Sequence, residues 1–143
     1  MKFVFDELYG LDILKKNRKR SDLRKYFGDS YREFPKTPFS KNSTDVFGGS
    51  VIKVWYEVDD TIEGIQVYHP EAEFYYYKNQ LLGVSVKDLK SIFSSLGEYL
   101  FAEEDGLGFN ARNNRVRFYV PDLEELNCDA KVECVYVDIS SNS

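Results

Sequence analysis

The sequence is poor in the residues that most often carry catalysis or bind metals. Among 143 residues it has one histidine, His69, and two cysteines, Cys128 and Cys134. One histidine and two thiols do not complete an ordinary zinc site, and no serine or cysteine can be assigned to His69 as a triad partner. We therefore expect no cofactor and no metal. His69 precedes Pro70 at a predicted strand end, where a turn or surface role is the commoner one.

Long apolar runs are missing too. Asp6 and Glu7 interrupt the N-terminal segment early, which is unlike the basic start and apolar stretch of a signal peptide. No segment approaches the roughly 20 apolar residues that a membrane-spanning helix needs. Two cysteines near one strand are interpreted as structural thiols in a reducing compartment. These absences predict a cytoplasmic protein that does not contact a membrane.

Motifs for other chemistry are weak. Asp59-Asp60 and Glu103-Glu104-Asp105 are carboxylate clusters in turn-like sequence, but neither has the spaced ligands of a calcium loop. The glycine pair in residues 106–110 lacks the lysine and hydroxyl residue of a phosphate loop. We expect a non-enzymatic protein, although an enzyme of unrecognised type stays open.

Aromatic residues and acidic charge are what the chain does have. The 11 Tyr, 11 Phe and 1 Trp, with 43% hydrophobic and 30% charged residues, predict one globular domain with an aromatic core. The net charge of −5 is uneven, since residues 1–50 hold 11 Lys and Arg against 7 Asp and Glu, and residues 51–143 hold 8 against 17. This balance disfavours nucleic acid and favours a basic protein partner. The oligomeric state stays open.

One segment runs against this acidity. Residues 15–25 contain seven cations, namely Lys15, Lys16, Arg18, Lys19, Arg20, Arg24 and Lys25. Such a run could contact RNA or an acidic protein, but a solvated helix face is the commoner interpretation. Stacking on single-stranded RNA would also need aromatic residues, and Tyr26 and Phe27 are expected in the core.

Local patterns predict two helices. The first follows Ser21 as its N-cap and ends at Gly28, and the second follows Ser85 and ends at Gly97. The second has the clearer apolar stripe, formed by Leu89, Ile92, Phe93 and Leu96.

Strands are predicted at residues 51–58, 61–68, 73–78, 115–120 and 131–139, the first two as a hairpin around Asp59-Asp60. A short strand is also expected near the acidic turn at residues 103–105. Residues 3–14 could be a short strand or a helical turn. Proline, glycine and polar residues predict an irregular segment at residues 29–50.

The second half of the sequence resembles the first. DLRKYF (22–27) matches DLKSIF (88–93), VWYEVDD (54–60) matches RFYVPD (117–122), and TIEGIQVY (61–68) matches KVECVYVD (131–138). We interpret this as two pseudo-repeats, at about 1–70 and 71–143. The predicted fold is α+β, an antiparallel sheet covered on one face by two helices and open on the other. The alternative is an α+β domain with two similar hairpins.

A run of aromatic residues, Phe74 to Tyr77, supplies further candidates for binding. Strand alternation would point Phe74 and Tyr76 one way and Tyr75 and Tyr77 the other. Burial on both sides is common, but an exposed tyrosine pair would suit a protein interface. The candidate partner-binding residues are therefore Tyr75, Tyr77, Glu103, Glu104 and Asp105.

The DL-x-x-[YI]-F helices, the segments IEGIQVY and HPEAEFYYYKNQLLG, and the late R-x-R-F-Y-x-P-D strand resemble small uncharacterised bacterial proteins. Some of those proteins are similar to immunity proteins that neutralise secreted toxins. The resemblance spans about residues 45–138 and implies an immunity role. The acidity of the chain makes a basic toxin domain the expected partner. The two-repeat plan also resembles the β-lactamase inhibitor protein and the small outer-membrane assembly lipoproteins, in architecture only. The alternative function is a small ligand-binding or regulatory domain that uses the open sheet face.

Overall fold

A computed structural model describes residues 1–28 and 30–139, and in this part of the chain the fold is α+β, as predicted. The helices are α1 (Arg20–Phe27), α2 (Val86–Leu96) and α3 (Leu123–Leu126), with 3-10 turns at Asp12–Lys15 and Asn127–Asp129. The strands are β1 (Lys2–Asp6), β2 (Gly10–Leu11), β3 (Arg32–Phe34), β4 (Thr44–Phe47), β5 (Ile52–Tyr56), β6 (Ile62–Tyr68), β7 (Glu73–Tyr76), β8 (Asn79–Gln80), β9 (Phe101–Ala102), β10 (Gly108–Ala111), β11 (Val116–Tyr119) and β12 (Cys134–Asp138).

The strands form two sheets. The larger is an eight-stranded antiparallel sheet in the order β3-β4-β5-β6-β12-β11-β10-β9. The predicted hairpin is confirmed as β5 and β6, and β6 pairs with β12 in the middle of this sheet. The smaller sheet has the order β2-β1-β7-β8, with β1 and β7 parallel. The prediction included only one sheet and two helices, so the second sheet and α3 are additions to it.

Helix α2 follows the sequence pattern closely. The Ser85 side chain accepts a hydrogen bond from the Asp88 backbone N–H (3.1 Å), and Gly97 ends the helix in the left-handed conformation with φ 69°. Leu89 and Phe93 are buried on its inner stripe. The predicted cap and stop of this helix are both confirmed.

Helix α1 begins differently from the prediction. It starts at Arg20, so Ser21 lies inside the first turn and is not the N-cap. The Asp22 carboxylate accepts hydrogen bonds from the backbone N–H groups of Arg18 (3.1 Å) and Lys19 (3.2 Å). Asp22 is the third residue of the helix, and its carboxylate satisfies backbone amides just before the helix, as the N3 side chain of a capping box does. The predicted stop at Gly28 is confirmed.

The segment predicted to be irregular contains two strands, β3 and β4. All four residues of β4 are buried, including Asp45, which has 0% exposure. An aspartate in the middle of a segment favours a loop prediction, because a buried carboxylate needs charged or hydrogen-bonding partners. The neighbouring sequence gives no sign of such partners here.

Arg20 and Arg24 of α1 supply the partners of Asp45. Arg24 bonds both Asp45 carboxylate oxygens (2.9 and 2.8 Å), Arg20 Nε lies 3.4 Å away, and the Tyr56 hydroxyl donates to the carboxylate at 3.0 Å. The hydrogen bonds that Arg24 donates to Asp45 raise the pKa of Arg24 above its usual value. Ion pairs from two cations of the basic segment thus hold α1 against the large sheet.

The core lies on the inner face of the eight-stranded sheet. Phe27 of α1 packs on Phe47 (ring centroids 5.0 Å apart) and Phe93 of α2 packs on Phe118 (5.7 Å). Tyr76 of the smaller sheet stacks on Phe93 (5.2 Å). Burying each such side chain stabilises the fold by about 1.5–3 kcal/mol. Tyr26 was also expected in the core, but it is 55% exposed.

Among residues 1–28 and 30–139, the helices are all too short or too polar to cross a bilayer.

Candidate binding site on the open sheet face

The outer face of the eight-stranded sheet is lined by strand and loop residues. Directly paired residues share one face of a sheet, so the register defines a row across all eight strands. That row consists of Arg32, Val46, Lys53, Gln66, Tyr136, Arg117, Asn110 and Phe101. Two grooves lie along this row, one toward each edge of the sheet.

The first groove, here called the acidic groove, has a volume of about 410 Å³. Its lining includes the rings of Trp55 and Tyr136, the carboxylates of Glu103, Asp105 and Asp138, and the guanidinium of Arg117. An excess of carboxylates beside aromatic rings attracts a cationic group by charge and by the ring quadrupoles.

Trp55 and Tyr136 form the aromatic part of this groove. Their ring centroids are 5.5 Å apart at an interplanar angle of 74°, and the Lys53 ammonium lies 4.9 Å from the Trp55 ring. Burial raises the pKa of Tyr136 to about 12, and the charges of Asp138 and Glu63 add to the effect. The phenol therefore stays neutral at physiological pH.

A glycine makes the position of Tyr136 possible. The β5–β6 register shifts at Trp55/Tyr56, and Gly64 lies opposite Trp55 there. A β-carbon on Gly64 would overlap the Tyr136 ring, falling only 2.7 Å from Cε2. A glycine in a strand often marks such a close approach of a neighbouring side chain. The tyrosine thus lies over the backbone of β6.

The acidic turn predicted from sequence forms the wall of the acidic groove. The Glu103 N–H donates to the Gly108 carbonyl (2.9 Å), and Asp105 Oδ1 accepts from the Leu107 N–H (2.9 Å). One Glu103 carboxylate oxygen is buried without a hydrogen-bond donor within the described residues. The structure therefore brings Glu103 and Asp105 to the groove, whereas Glu104 is exposed and is not part of its lining.

The second groove, here called the basic groove, has a volume of about 530 Å³. It is lined by Arg32, Phe34, Val46, Lys53, Tyr68 and His69, together with Gly49, Ser50 and Glu71. His69 is exposed, as predicted.

A hydrogen bond links a residue of the basic groove, Tyr68, to a residue of the acidic groove, Gln66. The Tyr68 hydroxyl donates to Gln66 Oε1 (3.0 Å), and Gln66 Nε2 donates to the Cys134 sulfur (2.8 Å). Burial raises the pKa of Cys134 to about 11 and that of Tyr68 to about 12. Cys134 is thus a buried free thiol, as interpreted from sequence, whereas the free thiol of Cys128 is exposed.

The two candidate tyrosines lie elsewhere. The Tyr75 hydroxyl donates to Glu73, and the Tyr77 hydroxyl donates to Glu7. Strand β7 ends at Tyr76, and Tyr77 has φ 47°, so the predicted alternation does not extend to Tyr77. Phe74 and Tyr76 are both buried, in agreement with their predicted common side.

The five candidate residues do not form one surface. Arg112, in the turn after β10, donates to the Tyr77 hydroxyl (3.3 Å), so Tyr77 lies at that end of β10. Glu103 and Asp105 lie in the turn before β10. The sequence reasoning also missed Trp55, Tyr136 and Asp138. Strand alternation could have grouped Tyr136 with Asp138, but the approach of Tyr136 to Trp55 depends on the β6–β12 pairing, which local sequence does not reveal.

No protein-family model matches the chain, and no curated protein or solved structure is significantly similar to it. Function is therefore inferred from the geometry and charge of the open face.

Proposed function

We propose that this protein is a non-enzymatic protein-binding module that docks a basic partner on the open face of its eight-stranded sheet. One observation carries the proposal, namely the acidic groove, which Glu103, Asp105 and Asp138 line together with the Trp55–Tyr136 pair. A lysine or arginine side chain of the partner would lie against the rings and pair with the carboxylates.

The surroundings of the groove favour a protein partner. Tyr119, which also lines the acidic groove, is 42% exposed. Tyrosine and tryptophan are enriched at protein interfaces because they combine large contact area with a polar tip. Acidic residues at the rim, such as Glu104, would mainly accelerate encounter with a basic surface.

The finer proposal is an immunity protein that neutralises a basic toxin in the cytoplasm. Its support is the sequence resemblance, the acidic second half of the chain and the preformed groove, since a rigid surface loses little entropy on binding. Tyr75 and Tyr77 stay candidates for a separate contact with the partner.

We also propose that the chain consists of two copies of one unit, at about 1–70 and 71–143. The strand order supports this, because β3-β4-β5-β6 is followed across the sheet by β12-β11-β10-β9. In each half, a pair of short strands and a helix precede four strands of the large sheet. The two units would then join in the large sheet at the central β6–β12 pair.

Site-specific cross-linking tests the docking surface. A photo-reactive phenylalanine analogue would replace Tyr119 on the open face, and in a control variant it would replace Ser91, an exposed residue of α2. We expect a basic protein to be captured at position 119 and not at position 91, and capture to fall when Asp105 and Asp138 are both changed to Asn. Equal capture at both positions, or capture indifferent to those two substitutions, would rule out the acidic groove as the docking surface.

A further inference from the structure

The basic groove differs from its neighbour in charge. Arg32 from the edge strand β3, Lys53 from β5 and His69 after β6 converge on it, and Glu71 is the one carboxylate among its lining residues. It shares the open face with the acidic groove but contains none of the carboxylates proposed to bind a basic partner.

The arginine and the lysine of the basic groove, Arg32 and Lys53, form no salt bridge with a carboxylate within the described residues. Arg32 donates to the Ser50 hydroxyl (3.3 Å) and lies over the Phe34 ring, while Lys53 lies over the Trp55 ring. Other cations of the N-terminal half, such as Arg24 and Lys41, lie within 3 Å of a carboxylate oxygen. The charge on this groove is therefore not neutralised internally, which favours binding of an anion.

The floor of the basic groove is apolar. Val46, which has only 8% exposure, and the half-buried Tyr68 both line it. A volume near 530 Å³ is in the range of pockets that hold small organic molecules, which typically combine an apolar lining with a few convergent polar groups. The ligand that fits should have an apolar body and an anionic end.

His69 is held against Gly83 at the rim. A β-carbon on Gly83 would fall 2.6 Å from His69 Nδ1, so the absence of a side chain at position 83 gives the imidazole its place. The His69 backbone N–H donates to the Glu133 carbonyl (2.9 Å). These contacts fix the ring on one side of the groove.

We propose that the basic groove binds a small organic anion, a carboxylate or phosphate monoester carried on an apolar body. Arg32 and Lys53 pair with the anionic group, and the Phe34, Val46 and Tyr68 side chains contact the body. This site gives the chain a ligand-binding function beside its proposed docking function, and the two grooves adjoin at Lys53, whose ammonium lies 4.9 Å from the Trp55 ring.

His69, the only histidine in the chain, provides a direct readout. Its ring protons would be followed by NMR during titration with phenylacetate, phenyl phosphate and the uncharged benzyl alcohol. We expect saturable shifts with one or both anions and none with the alcohol, and the comparison of the two anions identifies the preferred group. Arg32→Gln and Lys53→Gln should each weaken binding about tenfold, since each removes one charged contact.

Two further variants sharpen the test. Glu71→Gln removes the one carboxylate of the lining and should tighten anion binding, whereas Lys87→Gln, at an exposed position of α2, should leave it unchanged. Circular dichroism melts would establish that the variants are folded. The proposal is overturned if benzyl alcohol shifts His69 as the anions do, if neither anion causes a saturable shift, or if Lys87→Gln weakens binding as much as Arg32→Gln.

Discussion

Tyr136 of β12 lies across Gly64 of β6, so close that a β-carbon at position 64 would overlap its ring. This relationship fixes the aromatic floor of the acidic groove, because Trp55 packs edge to face on the same tyrosine. Gly64 has no positive φ, and the three atoms nearest to such a β-carbon all belong to Tyr136, so the ring is the main obstacle to a side chain there.

Gly64→Ala should therefore displace Tyr136 and destabilise the protein by about 1–3 kcal/mol, the usual effect of overpacking. Tyr136→Ala removes the obstacle, so adding Gly64→Ala to that variant should have little further effect. Urea unfolding of the two single variants and the double variant measures this coupling. Additive losses would show that Tyr136 is not what the alanine meets.

The buried carboxylate of Asp45 should be among the most sensitive positions in the chain. Asp45→Asn leaves Arg20 and Arg24 without their buried counter-charge, and breaking a buried pair in this way costs about 3–5 kcal/mol. Glu33→Gln is the control. Glu33 also pairs with Arg24 but is exposed, so this substitution should lower the free energy of unfolding by less than about 1 kcal/mol. Equal losses in chemical denaturation would argue that burial does not govern this network.

The two serines predicted as helix caps form a matched pair. Ser85→Ala removes the hydrogen bond to the Asp88 N–H and should lower the free energy of unfolding by about 1 kcal/mol. Ser21 is exposed within the first turn of α1, so Ser21→Ala should be neutral or slightly stabilising. Thermal melts of both variants test this, and a larger loss from Ser21→Ala would contradict the observed helix start.

Alkaline pH should destabilise the fold. Burial raises the pKa of Tyr68 and Tyr136 from 10.0 to about 12, and that of Cys134 from 9.0 to about 11. The folded state then holds protons that the unfolded chain releases. The part of the free energy of unfolding that depends on these protons is fully present below about pH 9 and is lost as the pH rises toward 12. The urea midpoint of unfolding should be lower at about pH 11 than at about pH 8, and the difference should be smaller in Tyr136→Phe. Equal midpoints at the two pH values would refute the expected burial of these groups.

The parts of the fold that the sequence predicts are those whose signals are local. Helix α2 has its cap, apolar stripe and stop within thirteen residues, Ser85 to Gly97, and the β5–β6 hairpin has a turn between two apolar strands. Strand β4 escaped prediction because Asp45 is compatible with burial only through arginines more than twenty residues away.

The candidate site also has one part with a local sequence signal and one part without it. The acidic turn was visible as consecutive carboxylates, and the structure brings Glu103 and Asp105 to a groove. Trp55 and Tyr136 meet there only because β6 pairs with β12 across the middle of the sheet. Alternation failed at Tyr77 because the chain turns there, with positive φ at Tyr77 and Lys78.

Fluorescence of the single tryptophan, Trp55, tests the central claim most directly. A hexa-arginine peptide should change its emission saturably, an uncharged hexaserine peptide should not, and rising salt should weaken the effect. The triple variant Glu103→Gln, Asp105→Asn, Asp138→Asn should abolish the response. The matched triple variant Asp122→Asn, Glu124→Gln, Asp129→Asn removes three exposed acids outside the groove and should keep it. If hexaserine gives the same response, or the first triple variant still responds like the unmodified protein, the acidic groove does not recognise basic side chains.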